Sequence, residues 1–202
     1  MIWTGLTGGI ASGKSAAKKL IEGLGFPVID ADQISHQQSE VSSVGYRQIV
    51  SHFGQEILKP DLSLDRTKLA KIIFTDQSQK VVLENILHPL IQAEVQRQKS
   101  NYMLSGAKLC FYDVPLLFEK KLQNQFDVVL LIWCDYKTQI QRLMKRNSLS
   151  EDEAKIRIKN QMKLNEKVKL ANYCIDNSSD IEDLSRQLNH FILNILSLQH
   201  LR

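Results

Sequence analysis

Eight residues, Gly8-Gly9-Ile10-Ala11-Ser12-Gly13-Lys14-Ser15, fit the pattern G-x-x-x-x-G-K-[ST] at every fixed position. The short apolar run Ile2 to Thr7 precedes them, and Ala16-Ala17-Lys18-Lys19-Leu20-Ile21 follows with a helical pattern. A strand must therefore enter the loop and a helix must leave it, the context phosphate-cradling chemistry requires. Glycines let successive backbone N–H groups turn inward as an anion nest, aided by the positive end of the following helix dipole. Lys14 would reach the β- and γ-phosphates of a nucleotide, and the Ser15 hydroxyl would ligate Mg²⁺. A glycine-rich turn that merely caps a helix is the bland alternative. The bare pattern arises by chance in roughly one chain in a hundred of this length, and fewer chance matches lie between a first strand and a first helix.

Apolar runs set the rest of the fold. Phe26–Ile29, Leu109–Val114, Phe126–Trp133 and Tyr173–Asp176 read as four further strands, and Val128 to Ile132 are apolar without interruption. Such two-sided runs belong to parallel sheets covered on both faces. The strands alternate with helices, which predicts one α/β domain with a five-stranded parallel sheet flanked by helices. Helices are expected over residues 14–24, from Gln33, over Tyr46–Phe53, after an Asp65 cap, over 137–146, from a Ser150-Glu151-Asp152-Glu153 capping box to Met162, and from Asp180 to Leu198. One helix is expected from Ser78 to Leu87 and another from Leu90 to Met103, with His88-Pro89 as the break between them. No strand pattern lies between Val41 and Met103, so an all-helical insertion, larger than a crossover needs, separates the second strand from the third. It is a candidate acceptor-binding lobe.

At 202 residues the chain can bury one substantial core. No apolar run reaches membrane-spanning length and no signal-peptide pattern opens the chain. Cys110, Cys134 and Cys174 are too scattered for a zinc site and odd in number for a disulfide framework, so buried free thiols in a reducing, cytoplasmic compartment are expected. The net charge of +4 is uneven: between Lys137 and Lys169 ten Lys/Arg face four Asp/Glu, a local +6 that leaves −2 for the remainder. Such a segment can contact nucleic acid or close over a polyphosphate. It lacks interleaved aromatics for base stacking, which favours the second role.

In open α/β sheets ligands bind beyond the carboxyl ends of the strands. That edge gathers the glycine-rich loop, Asp30 and Asp32, Asp113, Asp135 and Asn177. Asp113 ends an apolar strand where a carboxylate can orient Mg²⁺ directly or through water; a helix cap is the alternative. Of Asp30 and Asp32, one can cap the next helix while the other faces an acceptor hydroxyl. Arg142 and Arg146 share a helix face and can stabilise charge on a transferring phosphoryl group. For the neighbouring lysines a solvated surface is the simpler reading, and His88 fits a packing and turn role better than direct chemistry.

These residues resemble one family. Gly5 to Ser15, Asp30-Ala31-Asp32 with His36, Leu87-His88-Pro89, Asp113-Val114-Pro115-Leu116-Leu117-Phe118-Glu119 and Arg142 with Arg146 are similar to dephospho-CoA kinases. So are Glu153-Ala154, Gln161, Lys167 and Tyr173 to Asn177, and the resemblance spans essentially the whole chain. It implies a P-loop NTPase fold of the nucleoside monophosphate kinase type, with a helical CoA-binding insertion and a mobile lid. As one kinase unit, the core would comprise 1–40, 107–136 and 170–202, the acceptor lobe about 41–106 and the lid about 137–169. The implied reaction moves the ATP γ-phosphoryl group to the 3′-hydroxyl of the dephospho-CoA ribose. The implied catalytic residues are Lys14, Asp32 and Arg142. ATP contacts fall on Gly9, Ala11, Ser12, Gly13, Lys14, Ser15, Ala16, Arg146 and Asn177, and acceptor contacts on Asp32, His88, Pro115 and Leu116. Mg²⁺ falls to Ser15 and Asp113. ATP and dephospho-CoA are the expected partners of a monomer or weak homo-oligomer, without nucleic acid or membrane. Two positions depart from the family pattern: Ala16 stands where Thr is usual, and Ala171-Asn172-Tyr173 where Ala-Asp-Tyr is common. A kinase for a nucleoside monophosphate or shikimate is the nearest alternative, against which the insertion and the Pro115–Glu119 run argue. A nucleotide-dependent switch or nucleic-acid binder is the other; neither N-K-x-D nor L-S-G-G-Q occurs.

Overall fold

The computed structural model describes residues 1–197. Its elements are β1 (Ile2–Gly8), α1 (Lys14–Gly23), β2 (Val28–Asp30), α2 (Ala31–Gln37), α3 (Val44–Phe53), α4 (Arg66–Thr75), α5 (Gln77–Leu104) and β3 (Leu109–Asp113). They continue with β4 (Val128–Trp133), α6 (Tyr136–Asn147), α7 (Glu151–Lys159), α8 (Leu164–Val168), β5 (Tyr173–Asp176) and α9 (Ile181–Ser197). Leu198, expected to end the last helix, lies outside the described residues. Two compact units form: Met1–Ile29 with the chain from Tyr102, and Asp30–Asn101.

The first unit is built on a sheet of order β2-β3-β1-β4-β5. β1 pairs in parallel with β3 and β4, and β4 with β5. Register places Leu6 beside Asp113, Gly8 beside Ile132 and Trp133 beside Asp176, which aligns the carboxyl ends along one edge. Alternation along the strands serves two faces. Leu6, Phe111, Leu130, Ile132 and Ile175 join Ala17, Ile21, Leu188 and Phe191 of α1 and α9 in one core. On the other face Val129 packs with Leu117 and Phe118, and Leu131 with Leu164. A Cβ on Gly5 would come within 2.7 Å of Leu117, so the glycine in β1 marks where the segment after β3 lies tight on the sheet.

β2 is shorter than its apolar run. Pro27 has no N–H to give, but its carbonyl accepts the Phe111 N–H at 2.9 Å. In the second unit α3 and α4 enclose Ile49, Phe53, Ile57, Leu64 and Leu69, against which Leu83, Ile86 and Leu87 of α5 pack. Asp65 caps α4 through the Thr67 and Lys68 N–H groups, as its position suggests.

The structure overturns the expected break at His88-Pro89. α5 runs through both residues, with Pro89 inside it. A proline in a helix interior costs about 3 kcal/mol by removing one hydrogen bond and crowding the preceding turn. The helix is anchored on both sides of it, by Leu83, Ile86 and Leu87 before and by buried Val95 after, and Pro89 itself is exposed. Packing outweighs the local preference. Two smaller differences follow the same logic: the capping-box helix stops at Lys159, and the short α8 restarts so that Leu164 and Lys167 turn inward. Cys110 and Cys134 are buried free thiols, but Cys174 is exposed, because β5 is an edge strand that turns Ile175 rather than Cys174 into the core.

Candidate active site

The loop after β1 is held open from outside. Ser12 N–H closes a turn on Gly9 O at 3.1 Å. Ala11 and Gly13 adopt positive φ of 59° and 93°. Gly13 has no substitute: besides its backbone conformation, a Cβ there would meet Asn177 Nδ2 at 1.8 Å. That amide donates to Ser12 O at 2.8 Å, while the Asn177 N–H donates to Trp133 O at 2.8 Å. The residue after β5 thus buttresses the loop directly.

Residues from the basic segment grip the other side. Ile10 N–H donates to Gln161 Oε1 at 2.8 Å, and Gln139 Nε2 donates to Ile10 O at 2.7 Å. Lys167, with no exposed surface, places Nζ 3.4 Å from Gly8 O and 2.8 Å from Glu119 Oε1. Glu119 Oε1 also accepts the Met162 N–H at 3.2 Å. These contacts were not legible beforehand: Gln161, Lys167 and Glu119 stand out only by family resemblance, and Gln139 carries no signal.

Inside the cradle, α1 begins at Lys14 with Gly13 as N-cap and no side-chain cap. The N–H groups that open an uncapped helix, here those of Lys14 and Ser15, have no intrahelical acceptors and attract anions. Ala16 and Ala17 N–H both reach Gly13 O, at 2.9 and 3.2 Å, and the Ala16 methyl packs against the sheet core. Alanine in place of threonine therefore trades a hydroxyl for apolar contact. Lys14 Nζ pairs with Asp113 Oδ1 at the end of β3, and Asp113 is buried. Ser15 is exposed beside them.

Arg142 on α6 has its Nη1 buried without a hydrogen-bond partner, 3.6 Å from the Cβ position of Gly13. An unpaired guanidinium N–H beside a phosphate cradle is costly unless an anion completes it. Arg146, one turn on, is exposed and donates from Nε to Asn147 at 3.0 Å. The Pro115 carbonyl accepts from Thr7 Oγ1 at 3.2 Å, and Leu116 is partly exposed. Burial, against the weaker pull of Arg142, raises the Cys134 thiol to about 11, so it stays protonated and inert. The Thr138 side chain and N–H lower the pKa of Asp135 and engage it as the cap of α6.

Lys14, Ser15, Asp113, Arg142 and Asn177 all meet at the loop in the first unit. Asp32 and His88 belong to the second. There Asp30 is the helix cap, accepting the Gln33 N–H at 2.9 Å. Asp32, in the first turn of α2, is exposed and makes no hydrogen bond or ion pair among the described residues. His88 is exposed on α5. Asn172 has a structural account: its Oδ1 accepts the Val129 N–H at 2.8 Å and its own N–H donates to Val129 O at 3.1 Å. A carboxylate could accept the same bond.

No group of three or more His, Cys, Asp or Glu capable of holding a metal occurs among the described residues. Ser15 and Asp113 are nevertheless hard oxygen donors suited to Mg²⁺, which usually takes one or two protein ligands together with phosphate and water oxygens.

A parallel sheet whose first strand opens into an uncapped, lysine-bearing loop, backed by a strand-end carboxylate and an arginine, defines a P-loop kinase. The family model for dephospho-CoA kinase matches residues 2–183. A dephospho-CoA kinase of Bacillus cereus is 44% identical over 94% of this chain and 95% of its own. One from Lactobacillus johnsonii is 42% identical over 95% and 96%. The solved structure of dephospho-CoA kinase from Campylobacter jejuni superposes with a TM-score of 0.73, at 30% identity over 98% of each chain. The chain belongs to the dephospho-CoA kinase family.

Proposed function

We propose that this protein transfers the γ-phosphoryl group of ATP to the ribose 3′-hydroxyl of dephospho-CoA, forming coenzyme A and ADP in the last step of coenzyme A synthesis. The observation that carries the phosphate half is Arg142, whose buried, unpartnered guanidinium nitrogen lies beside an uncapped helix N-terminus. The family carries the acceptor half.

In this reading the loop amides and Lys14 hold the β- and γ-phosphates, and Ala11, Ser12 and Ala16 contribute backbone. Lys14 leaves Asp113 for the phosphates. Ser15 and Asp113 would hold Mg²⁺, which would neutralise polyphosphate charge. Arg142, together with Arg146 one turn on, faces charge developing on the equatorial oxygens. Asp32 orients the 3′-hydroxyl and accepts its proton as the O3′–P bond forms and the bond to the β,γ-bridging oxygen breaks. The transition state is loose, so positioning and charge outweigh base strength. His88, Pro115 and Leu116 are assigned to the acceptor by the family resemblance. Gln139, Gln161 and Lys167 are tied to the loop, so lid closure falls to the stretch between those anchors. Equal protease sensitivity across residues 143–160 with and without ATP would exclude that motion.

The deciding experiment follows ADP release with dephospho-CoA, nucleoside monophosphates and shikimate offered separately. Turnover with dephospho-CoA alone is expected; preference for another acceptor overturns the reading. Asp32→Asn is expected to lower kcat by about 10²–10⁴-fold, and a near-normal kcat would remove Asp32 from the mechanism.

A further inference from the structure

The first unit carries a second concavity. A cavity of about 680 Å³ opens where the end of β4, the start of α6, α7 and α8 converge, within the size range of small-molecule sites. None of Gly13, Lys14, Ser15, Asp113, Arg142 or Asn177 lines it. Its walls are Trp133, Cys134, Tyr136, Ile156, Ile158 and Leu164. Ile156 and Tyr136 are 61% and 54% exposed, large apolar side chains left in water around one opening.

Part of the polar lining is engaged, while the Tyr136 hydroxyl makes no hydrogen bond among the described residues. Asn165 Oδ1 accepts from Trp133 Nε1 at 3.1 Å, and Gln139 is held by Ile10. Asp135, the only acidic lining residue, caps α6. The surface the walls offer is nonetheless mostly apolar, so a sugar or base would pay for its desolvation. An aliphatic chain requires no hydrogen-bond partner. Charge then selects the head group. Lys155 is paired with Glu151 at 2.6 Å, whereas Lys159 and Lys163 at the same opening make no ion pair among the described residues.

We propose that this cavity binds a free fatty acid, its chain against Trp133, Ile156 and Leu164 and its carboxylate on Lys159 and Lys163. The walls are also supports of the phosphate loop. Leu164 lies 3.0 Å from the Cβ position of Gly9, and Gln139 holds the Ile10 carbonyl. Occupancy therefore changes nucleotide affinity without sharing the nucleotide's residues.

The test is titration of the full chain with dodecanoate below its micelle concentration, by calorimetry and tryptophan fluorescence. Saturable binding at one site is expected, with each pair of methylenes removed, to decanoate and then octanoate, weakening it about tenfold. Dodecanol, without the charge, should bind less tightly. Lys159→Glu with Lys163→Glu should weaken dodecanoate at least about tenfold, and Ile156→Glu should weaken it independently while both variants keep wild-type unfolding midpoints. No saturable binding, or an affinity indifferent to chain length and to all these substitutions, overturns the site. ATP binding measured at rising dodecanoate decides the coupling: a shift that levels off supports it, one that grows without limit places the ligand in the nucleotide site, and no shift removes the coupling.

Discussion

Lys167 is the residue whose environment says most about how the loop is kept in shape. It is fully buried, it pairs with Glu119, and its ammonium sits under the Gly8 carbonyl. Removing one member of such a pair strands the other, at about 3–5 kcal/mol; Glu119 keeps some solvent contact, which favours the lower figure. Lys167→Met is expected to lower the stability measured by urea unfolding by about 3 kcal/mol and to raise KM for ATP. Adding Glu119→Gln should recover part of the stability, and Lys167→Arg should restore KM more than Lys167→Met does. A variant with wild-type KM for ATP would make the pair structural alone. Lys167 is also where residue-scale reading from sequence stops. Gly13, Lys14 and Ser15 are legible because backbone conformation and phosphate chemistry admit few residues there. A lysine in a segment with ten basic side chains reads as solvated surface, and only tertiary packing turns it inward.

At the scale of elements, β1, β3 and β4 were legible because two-sided burial demands apolar runs. α5 was not, because Pro89 signals a stop that only long-range packing overrules. The same helix carries the clearest acid-sensitive contact. Glu94 takes two hydrogen bonds from Arg97 and one from Gln98, which lower its pKa from 4.5 to about 2. A depressed carboxylate pKa means that the unfolded chain binds more protons as pH falls, so this contribution is complete above 4.5 and lost on descent towards 2. The pair is largely at the surface and worth about 0.5 kcal/mol. Glu94→Gln should show that loss at neutral pH, and its unfolding free energy should converge on wild type as pH approaches 2. A difference constant across the range would assign the effect to helix propensity instead.

For the whole molecule, the three thiols report on different depths. Cys174 is exposed while Cys110 and Cys134 are buried in the first unit, so a thiol reagent should modify one cysteine in the native protein and three after denaturation. Reaction at the buried pair requires opening. ATP at a hundredfold excess over its Kd should slow it about a hundredfold if only the closed form binds nucleotide. Equal rates with and without ATP would mean that those sites open without releasing the ligand. At this scale the helical insertion was legible as a long stretch without strands. The way α6, the segment before α8 and β5 converge on the loop was not, since no local pattern records contacts between residues more than a hundred positions apart. Those contacts impose an order in time during synthesis. The loop leaves the ribosome early, but the partners of Gly8 and Ser12 are Lys167 and Asn177. At roughly 5–20 residues per second, the last support arrives on the order of ten seconds after the loop itself. A nascent chain halted near residue 160 should therefore contain every residue of the glycine-rich motif and still fail to retain ATP, whereas one long enough to expose Asn177 should hold it.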